Sequence, residues 1–223
     1  MSRPPRKTPK GYAYHVYNRG FLRSELFADE LDYRCFLDLL GKTLTSHPIE
    51  LSALCLMPNH WHLCLWPNEE NVVSRFMQHL TSRHVSSWRK RWGTSGHLYQ
   101  GRFKCIPVAT ESYYFRLVEY VELNPVRAKL AEQAEDWRWS SAWIRSEGAN
   151  GNEWGISLSQ NPIPVPGNWL SHLRERKGSI ELTEIERCIT LQRPFGQLEW
   201  VSDTVNKLAL PRMTRRRPRE NSP

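Results

Sequence analysis

Long apolar runs are missing from this chain, and so is any Cys-x-x-C pair. The first absence argues against a membrane-spanning helix, which needs about 20 consecutive apolar residues. The second leaves Cys35, Cys55, Cys64, Cys105 and Cys188 without the spacing of a metal knuckle or redox motif. Reduced thiols in a cytoplasmic protein are the expectation. Met1 to Lys10 is polar, basic and proline-bearing, and lacks the apolar stretch of a signal peptide. No internal repeat is found. Acidic residues are also in short supply: 23 Asp and Glu face 31 Lys and Arg, giving a formal charge of +8. That imbalance predicts a polyanionic partner, with nucleic acid ahead of a membrane surface.

What is present is enough for a packed core. Apolar residues make up 39% of the 223, ten of them tryptophan, which suits one sizeable domain with an extension. The basic excess gathers at Arg89-Lys90-Arg91, Arg174 to Lys177 and Arg215-Arg216-Arg217.

Taken in order, residues 1–10 read as a disordered basic arm. Tyr12 to Arg19 is β-branched and aromatic and predicts a first strand. Asp29 is placed to cap a helix in which Leu31, Cys35, Leu39 and Leu40 recur at helical spacing. Ile49 to Cys55 predicts a second strand, and Met57-Pro58-Asn59 a turn into a third. Asn68 or Asn71 is placed to cap a second helix bearing Val72, Phe76, Leu80, His84 and Trp88 on one face. His97 to Val108 reads as strand, bent at Gly101. A third helix is expected from about Thr110 to Leu130, interrupted by Pro125. The resulting order, strand, helix, strand, strand, helix, strand, is α+β: a ferredoxin-like βαββαβ antiparallel sheet with helices on one face. The core domain spans 11–145. An irregular and helical extension follows at 146–210, with helices expected over Ile180 to Leu191 and Phe195 to Leu208, and 211–223 is a disordered basic tail.

Leu56 to Trp66 carries the clearest chemical signal. Side chains alternate along a strand, so His60, His62 and Cys64 share one face and Trp61, Leu63 and Leu65 the other. Two imidazoles on one face are a ready pair of metal ligands. They also suit a hydrogen-bonded pair on a half-buried sheet, and on these residues alone the packing reading carries slightly more weight. A zinc cluster with Cys64 lacks a fourth ligand at a usual spacing. His15 is placed to face the same surface. On the third helix, Tyr120 and Asn124 stand one turn apart on a common face.

Asn59-His60-Trp61-His62, followed by Tyr120-Val121-Glu122-Leu123-Asn124-Pro125-Val126-Arg127-Ala128, resembles the HUH single-tyrosine transposases of bacterial insertion sequences. It is most similar to their domesticated branch, the REP-associated tyrosine transposases. Tyr14-His15-Val16-Tyr17-Asn18-Arg19-Gly20, Gly96 to Lys104 and Arg193-Pro194-Phe195-Gly196 fit that branch as well. The resemblance implies a bacterial, nucleoid-associated enzyme that cuts and rejoins single-stranded DNA at palindromic hairpins. Tyr120 would be the nucleophile, forming a 5′-phosphotyrosine. His60, His62 and Asn124 would hold Mg²⁺ or Mn²⁺; mobile relatives carry Gln where Asn124 stands. Candidate DNA contacts are Arg19, Arg83, Arg89, Lys90, Arg91, Arg102, Lys104, Arg215, Arg216 and Arg217, with Tyr99 and Phe103 as stacking rings. Whether the chain acts as a monomer or a homodimer stays open. The competing reading is a DNA-binding regulator that keeps the fold without the chemistry.

Overall fold

Four apolar segments pair into one antiparallel sheet in the computed structural model, which describes residues 6–151, 153–176 and 183–210. They are β1 (Ala13–Arg19), β2 (Ile49–Met57), β3 (His60–Pro67) and β4 (Lys104–Val108), in the order β2-β3-β1-β4. Pro58 and Asn59 make the tight turn between β2 and β3, so Met57 faces His60 across the hairpin. The ladder slips once, between Leu51 and Ala53. This bulge leaves Leu51 and Leu54 both in the same core despite their odd spacing. On the other side of β3, Tyr17 of β1 lies opposite His62 and Arg19 opposite His60.

One face of the sheet presents Tyr14, Val16, Leu54, Leu56, Trp61, Leu63 and Leu65. Against it pack α1 (Glu30–Thr45), through Phe36, Leu37 and Leu40, and α2 (Val72–Trp92), through Val73, Phe76, Met77 and Leu80. Asp29 caps α1 as expected, accepting from the Leu31 and Asp32 amides at 3.0 and 3.2 Å. Gly93, at φ +60, closes α2 by returning its N–H to the Arg89 carbonyl. The expected βαββαβ unit is therefore present, with both its helices on one side.

The opposite face carries small and polar residues, Ala13, His15, Ala53, Cys55, His62 and Cys64. It is covered by α3 (Ser112–Glu122), which buries Leu117, Val118 and Val121 against it. The short α4 (Asn124–Arg127) follows, then α5 (Ser141–Gly151), α6 (Trp169–Arg176), α7 (Thr183–Leu191) and α8 (Leu198–Lys207). Trp169 and Leu173 of α6 and Ile185 of α7 join the core on this side.

The segment after α4 also follows the outer strands. Along β2, Leu56 N–H donates to Trp139 O at 2.9 Å and Ser159 N–H to Leu51 O at 2.7 Å. Along β4, Ala109 N–H donates to Phe195 O at 2.8 Å, and Phe195 N–H to Pro107 O at 3.0 Å.

Several boundaries differ from expectation. The strand expected over His97–Val108 is strand only from Lys104. Residues 97–103 instead follow the turn beyond β1, with Phe21 N–H donating to Leu98 O and Gln100 N–H to Arg19 O. The third helix stops at Glu122, and Pro125, lacking an N–H, sits in the first turn of α4. Asn71 adopts φ +58 and makes no cap to α2; its Oδ1 accepts from the Thr8 amide at 3.0 Å. Thr8 is buried and Tyr14 Oη donates to Pro9 O, so residues 6–10 are pinned to the domain where a disordered arm was expected. Helix α6 was not expected, because the Pro- and Gly-rich stretch before it hides its periodicity. The tail from 211 lies outside the described residues.

Trp61 points away from its histidine neighbours into the α1–α2 core. Its Nε1 donates to Tyr99 Oη at 3.1 Å, and Tyr99 Oη stands 2.6 Å from His84 Nδ1. Indole can only donate, so the tyrosine oxygen accepts from Trp61 and its O–H donates to His84 Nδ1. Burial lowers His84 to about 3, which agrees with a neutral ring accepting at Nδ1. A folded His84 thus refuses a proton that the unfolded chain takes up near the ordinary value of about 6.5. The sign follows: its contribution is complete above that value and is lost as pH falls, at about 1.4 kcal/mol per unit. Urea unfolding is expected to show about 2 kcal/mol less stability at pH 5 than at pH 7 from this residue. In His84→Gln that part of the acid sensitivity should be gone.

Candidate active site

His60 and His62 stand side by side on β3, their ring centroids 5.0 Å apart and their planes nearly perpendicular. Each is gripped through Nδ1. His60 Nδ1–H donates to Asn59 Oδ1 at 2.7 Å, an assignment forced because an amide oxygen only accepts. His62 Nδ1 pairs with His15 Nε2 at 2.8 Å, with the two rings stacked. Among the described residues neither Nε2 has a partner, so both rings are aimed with a ring nitrogen free. Burial, with the nearby Arg19 charge, holds His60 down at about 4. Burial also lowers His15 to about 3 and His62 well below the ordinary histidine value. All three are neutral at physiological pH, as metal-binding imidazole must be.

Helix α3 brings Tyr120 to this pair. Its ring meets His62 edge-on at 5.6 Å and His15 edge-on at 5.9 Å, and the residue is 7% exposed. Burial raises the phenol above its ordinary value. The Arg127 guanidinium, 5.1 Å over the ring, acts in the opposite direction. One turn beyond, Asn124 Nδ2 donates to Tyr120 O at 2.7 Å. That bond assigns the amide nitrogen to the helix and leaves the oxygen as the free end. No hydrogen bond joins Asn124 to either histidine. Two neutral imidazole nitrogens and an amide oxygen are a donor set that fits a divalent cation of the Mg²⁺ or Mn²⁺ kind.

Cys64 does not extend this set. It is fully buried in the apolar core beneath α3, where burial pushes its thiol up to about 12. Among the described residues no group of three or more His, Cys, Asp and Glu is placed to hold a metal.

What fastens α3 escaped the sequence reading. Glu122, fully buried, accepts from Ser141 Oγ, from Arg145 Nε at 3.0 Å and from Trp169 Nε1 at 2.6 Å. Glu119 accepts from Arg176 Nε at 3.0 Å. The available signal was two carboxylates three apart on a helix whose other inward positions are apolar. Helix α7 ties in from outside: Tyr17 Oη donates to Ile189 O at 2.9 Å, and Arg127 pairs with Glu186.

The expected DNA contacts divide. Arg19, Arg102 and Lys104 line one cleft of about 570 Å³ together with Arg6, Gln100 and Tyr17, whose ring stacks on His62 at 5.9 Å. Arg83 and Lys90 are exposed on α2. Arg89 donates to Gly96 O at 3.0 Å and closes the turn after α2. Arg91 is not available, being paired with Asp29 and Asp32 at the start of α1. Neither expected stacking ring is free. Tyr99 is engaged between Trp61 and His84, and Phe103 is 7% exposed with Arg6 lying 4.5 Å over its ring. Arg215, Arg216 and Arg217 lie outside the described residues.

Comparison with known proteins gives a concordant picture. Residues 9–124 match the family described as IS200-like transposase. The chain is 26% identical over 117 residues to a Haemophilus influenzae protein described as a candidate REP-associated tyrosine transposase. It is 24% identical over 123 residues to the REP-associated tyrosine transposase of Escherichia coli K12. These matches span 48% and 53% of this chain, and 66% and 68% of the two relatives. Among solved structures, a REP-associated tyrosine transposase bound to a REP hairpin superposes with a TM-score of 0.55 at 19% identity. That match covers 74% of this chain and 98% of the other, and shows the shared fold.

Proposed function

Because the chain belongs to the IS200-like transposase family, we propose that it cleaves and rejoins single-stranded DNA at hairpin-forming repeats, with Tyr120 as nucleophile. The observation that carries this reading is the meeting of the Tyr120 ring with His62 at 5.6 Å, on the face where His60 and His62 each keep Nε2 free. A hairpin as substrate is supported by the solved relative, whose structure holds one.

In this reading the Tyr120 oxygen attacks the scissile phosphorus as the bond to the 3′ oxygen breaks. The protein keeps a 5′-phosphotyrosine, and the phenol proton leaves as the 3′-hydroxyl gains one. One phosphodiester is exchanged for another, so the strand can be rejoined without outside energy, as hydrolysis by water would not permit. His60, His62 and Asn124 would hold a divalent cation, Mg²⁺ or Mn²⁺, which when bound supplies orientation of the phosphate and charge to offset its growing negative character. Arg127 favours the phenolate by its charge. Arg19, Arg102 and Lys104 line the approach and would bind the strand through phosphates.

The test is to incubate the protein with hairpin DNA carrying a single-stranded flank, with Mg²⁺ or Mn²⁺, and look for a covalent adduct on a denaturing gel. An adduct is expected; hairpin binding without one in either metal would leave a regulator on the same fold.

His15 should matter through His62. Isothermal titration with Mn²⁺ is expected to show about 10–100-fold weaker binding in His15→Phe, which fills the space without a hydrogen bond to Nδ1. His15→Gln, whose amide oxygen can accept from Nδ1–H, should recover most of it. Equal affinity in all three would remove His15 from this role.

A further inference from the structure

The turn after β1 holds apolar side chains out in water on a strained backbone. Leu22 is 82% exposed and Phe21 40%. Leu22 (φ 50, ψ 27) and Arg23 (φ 64) both lie in the left-handed region, which bulky L-residues avoid. The turn is nonetheless pinned. Phe21 N–H donates to Leu98 O at 2.9 Å, and Ser24 N–H to Phe21 O at 2.9 Å. A Cβ on Gly20 would lie 2.0 Å from Ser24 O, so only glycine lets the chain fold back there. Asn59, whose oxygen holds His60, donates through Nδ2 to Arg23 O at 3.3 Å. The turn and the histidine strand are thus one rigid unit.

Folding alone gives no reason for this arrangement, since Leu22 buries little and the backbone is strained. Its surroundings are cationic: Arg19 precedes the turn and Arg23 ends it, both are exposed, and neither is in an ion pair among the described residues. A fixed apolar side chain rimmed by free cations suits a nucleic-acid strand. Phosphates meet the cations, and an unstacked base offers an apolar face.

We propose that Phe21 and Leu22 form a wedge that stacks on the base exposed at the foot of a DNA hairpin, parting the paired stem from the single strand that runs to His60. This rests on the DNA-cleaving reading above and adds to it how the junction is recognised.

Hairpin DNA carrying 2-aminopurine at the foot of its stem tests the proposal. The protein is expected to raise the probe's fluorescence by unstacking it. Leu22→Ser, at so exposed a position, should fold normally, lose that rise and bind the hairpin about tenfold more weakly. Leu22→Gly should melt at a higher temperature because the left-handed strain is relieved, yet bind more weakly. A merely structural role would move both in the same direction. Unchanged fluorescence and affinity in Leu22→Ser, with hairpin binding and adduct formation intact, overturns the wedge alone. Conversion of a dimer to a monomer by Leu22→Ser, with hairpin binding unchanged, also overturns it and makes the turn a contact between copies. Failure of the parent protein to bind any hairpin overturns both this and the cleavage reading.

Discussion

Tyr120→Phe is expected to bind hairpin DNA as tightly as the parent chain and to form no covalent adduct with it. The substitution removes one oxygen and leaves the ring contacts to His15 and His62 in place. Removing a nucleophile outright costs on the order of 10⁶ in rate, so the adduct should fall below detection on a denaturing gel, while anisotropy reports unchanged binding. Other tyrosines offer no replacement. Tyr17 lies 5.9 Å from His62 by ring centroid, but its hydroxyl is donated to Ile189 O. Tyr114, in the first turn of α3, is 1% exposed and donates to Asn161 O. Because burial raises the Tyr120 phenol, adduct formation in the parent protein should also speed up as pH rises above neutral. An adduct that persists in Tyr120→Phe would remove this residue as nucleophile.

The second large effect is expected at Glu122. Glu122→Leu leaves Arg145, whose side chain is 12% exposed, and the Trp169 indole facing an apolar group inside the protein. Breaking one side of a buried ion pair costs about 3–5 kcal/mol. For a chain of this size that is a fall in melting temperature of roughly 6–20 °C. Replacing Glu122 and Arg145 together by Leu and Met should cost much less, since no charge is then stranded. Thermal unfolding followed by circular dichroism checks both. If the single and double variants are equally destabilised, packing and not the charge pair holds α3 in place.

The facing of His60 and His62 was legible because a strand has a period of two, and the hairpin because Pro58-Asn59 breaks an otherwise apolar run. Helical spacing puts Tyr120 and Asn124 one turn apart, although α3 ends at Glu122 and Asn124 opens α4. What brings strand and helix together was not legible. The His15–His62 bond depends on the register between β1 and β3, and register is set by the whole sheet. Tyr99 and Phe103 look like free aromatic rings between basic residues, but the chain at 97–103 turns back along Gly20, half-burying Tyr99 and burying Phe103. Arg91 reads as one of three cations in a row, yet it alone reaches the two aspartates at the start of α1. Such distinctions depend on tertiary neighbours, which local spacing does not encode.

The segments that run along Leu51, Leu56, Pro107 and Ala109 bear on self-association. An open outer strand is a template on which another chain can extend the sheet. Here Trp139 and Ser159 occupy hydrogen-bonding positions along one border and Phe195 along the other. Two folded copies cannot merge their sheets into a continuous one at these positions without first displacing that chain. The region after residue 130 is therefore a guard against strand exchange as well as a support for the tyrosine helix, and losing it would leave both borders open to aggregation.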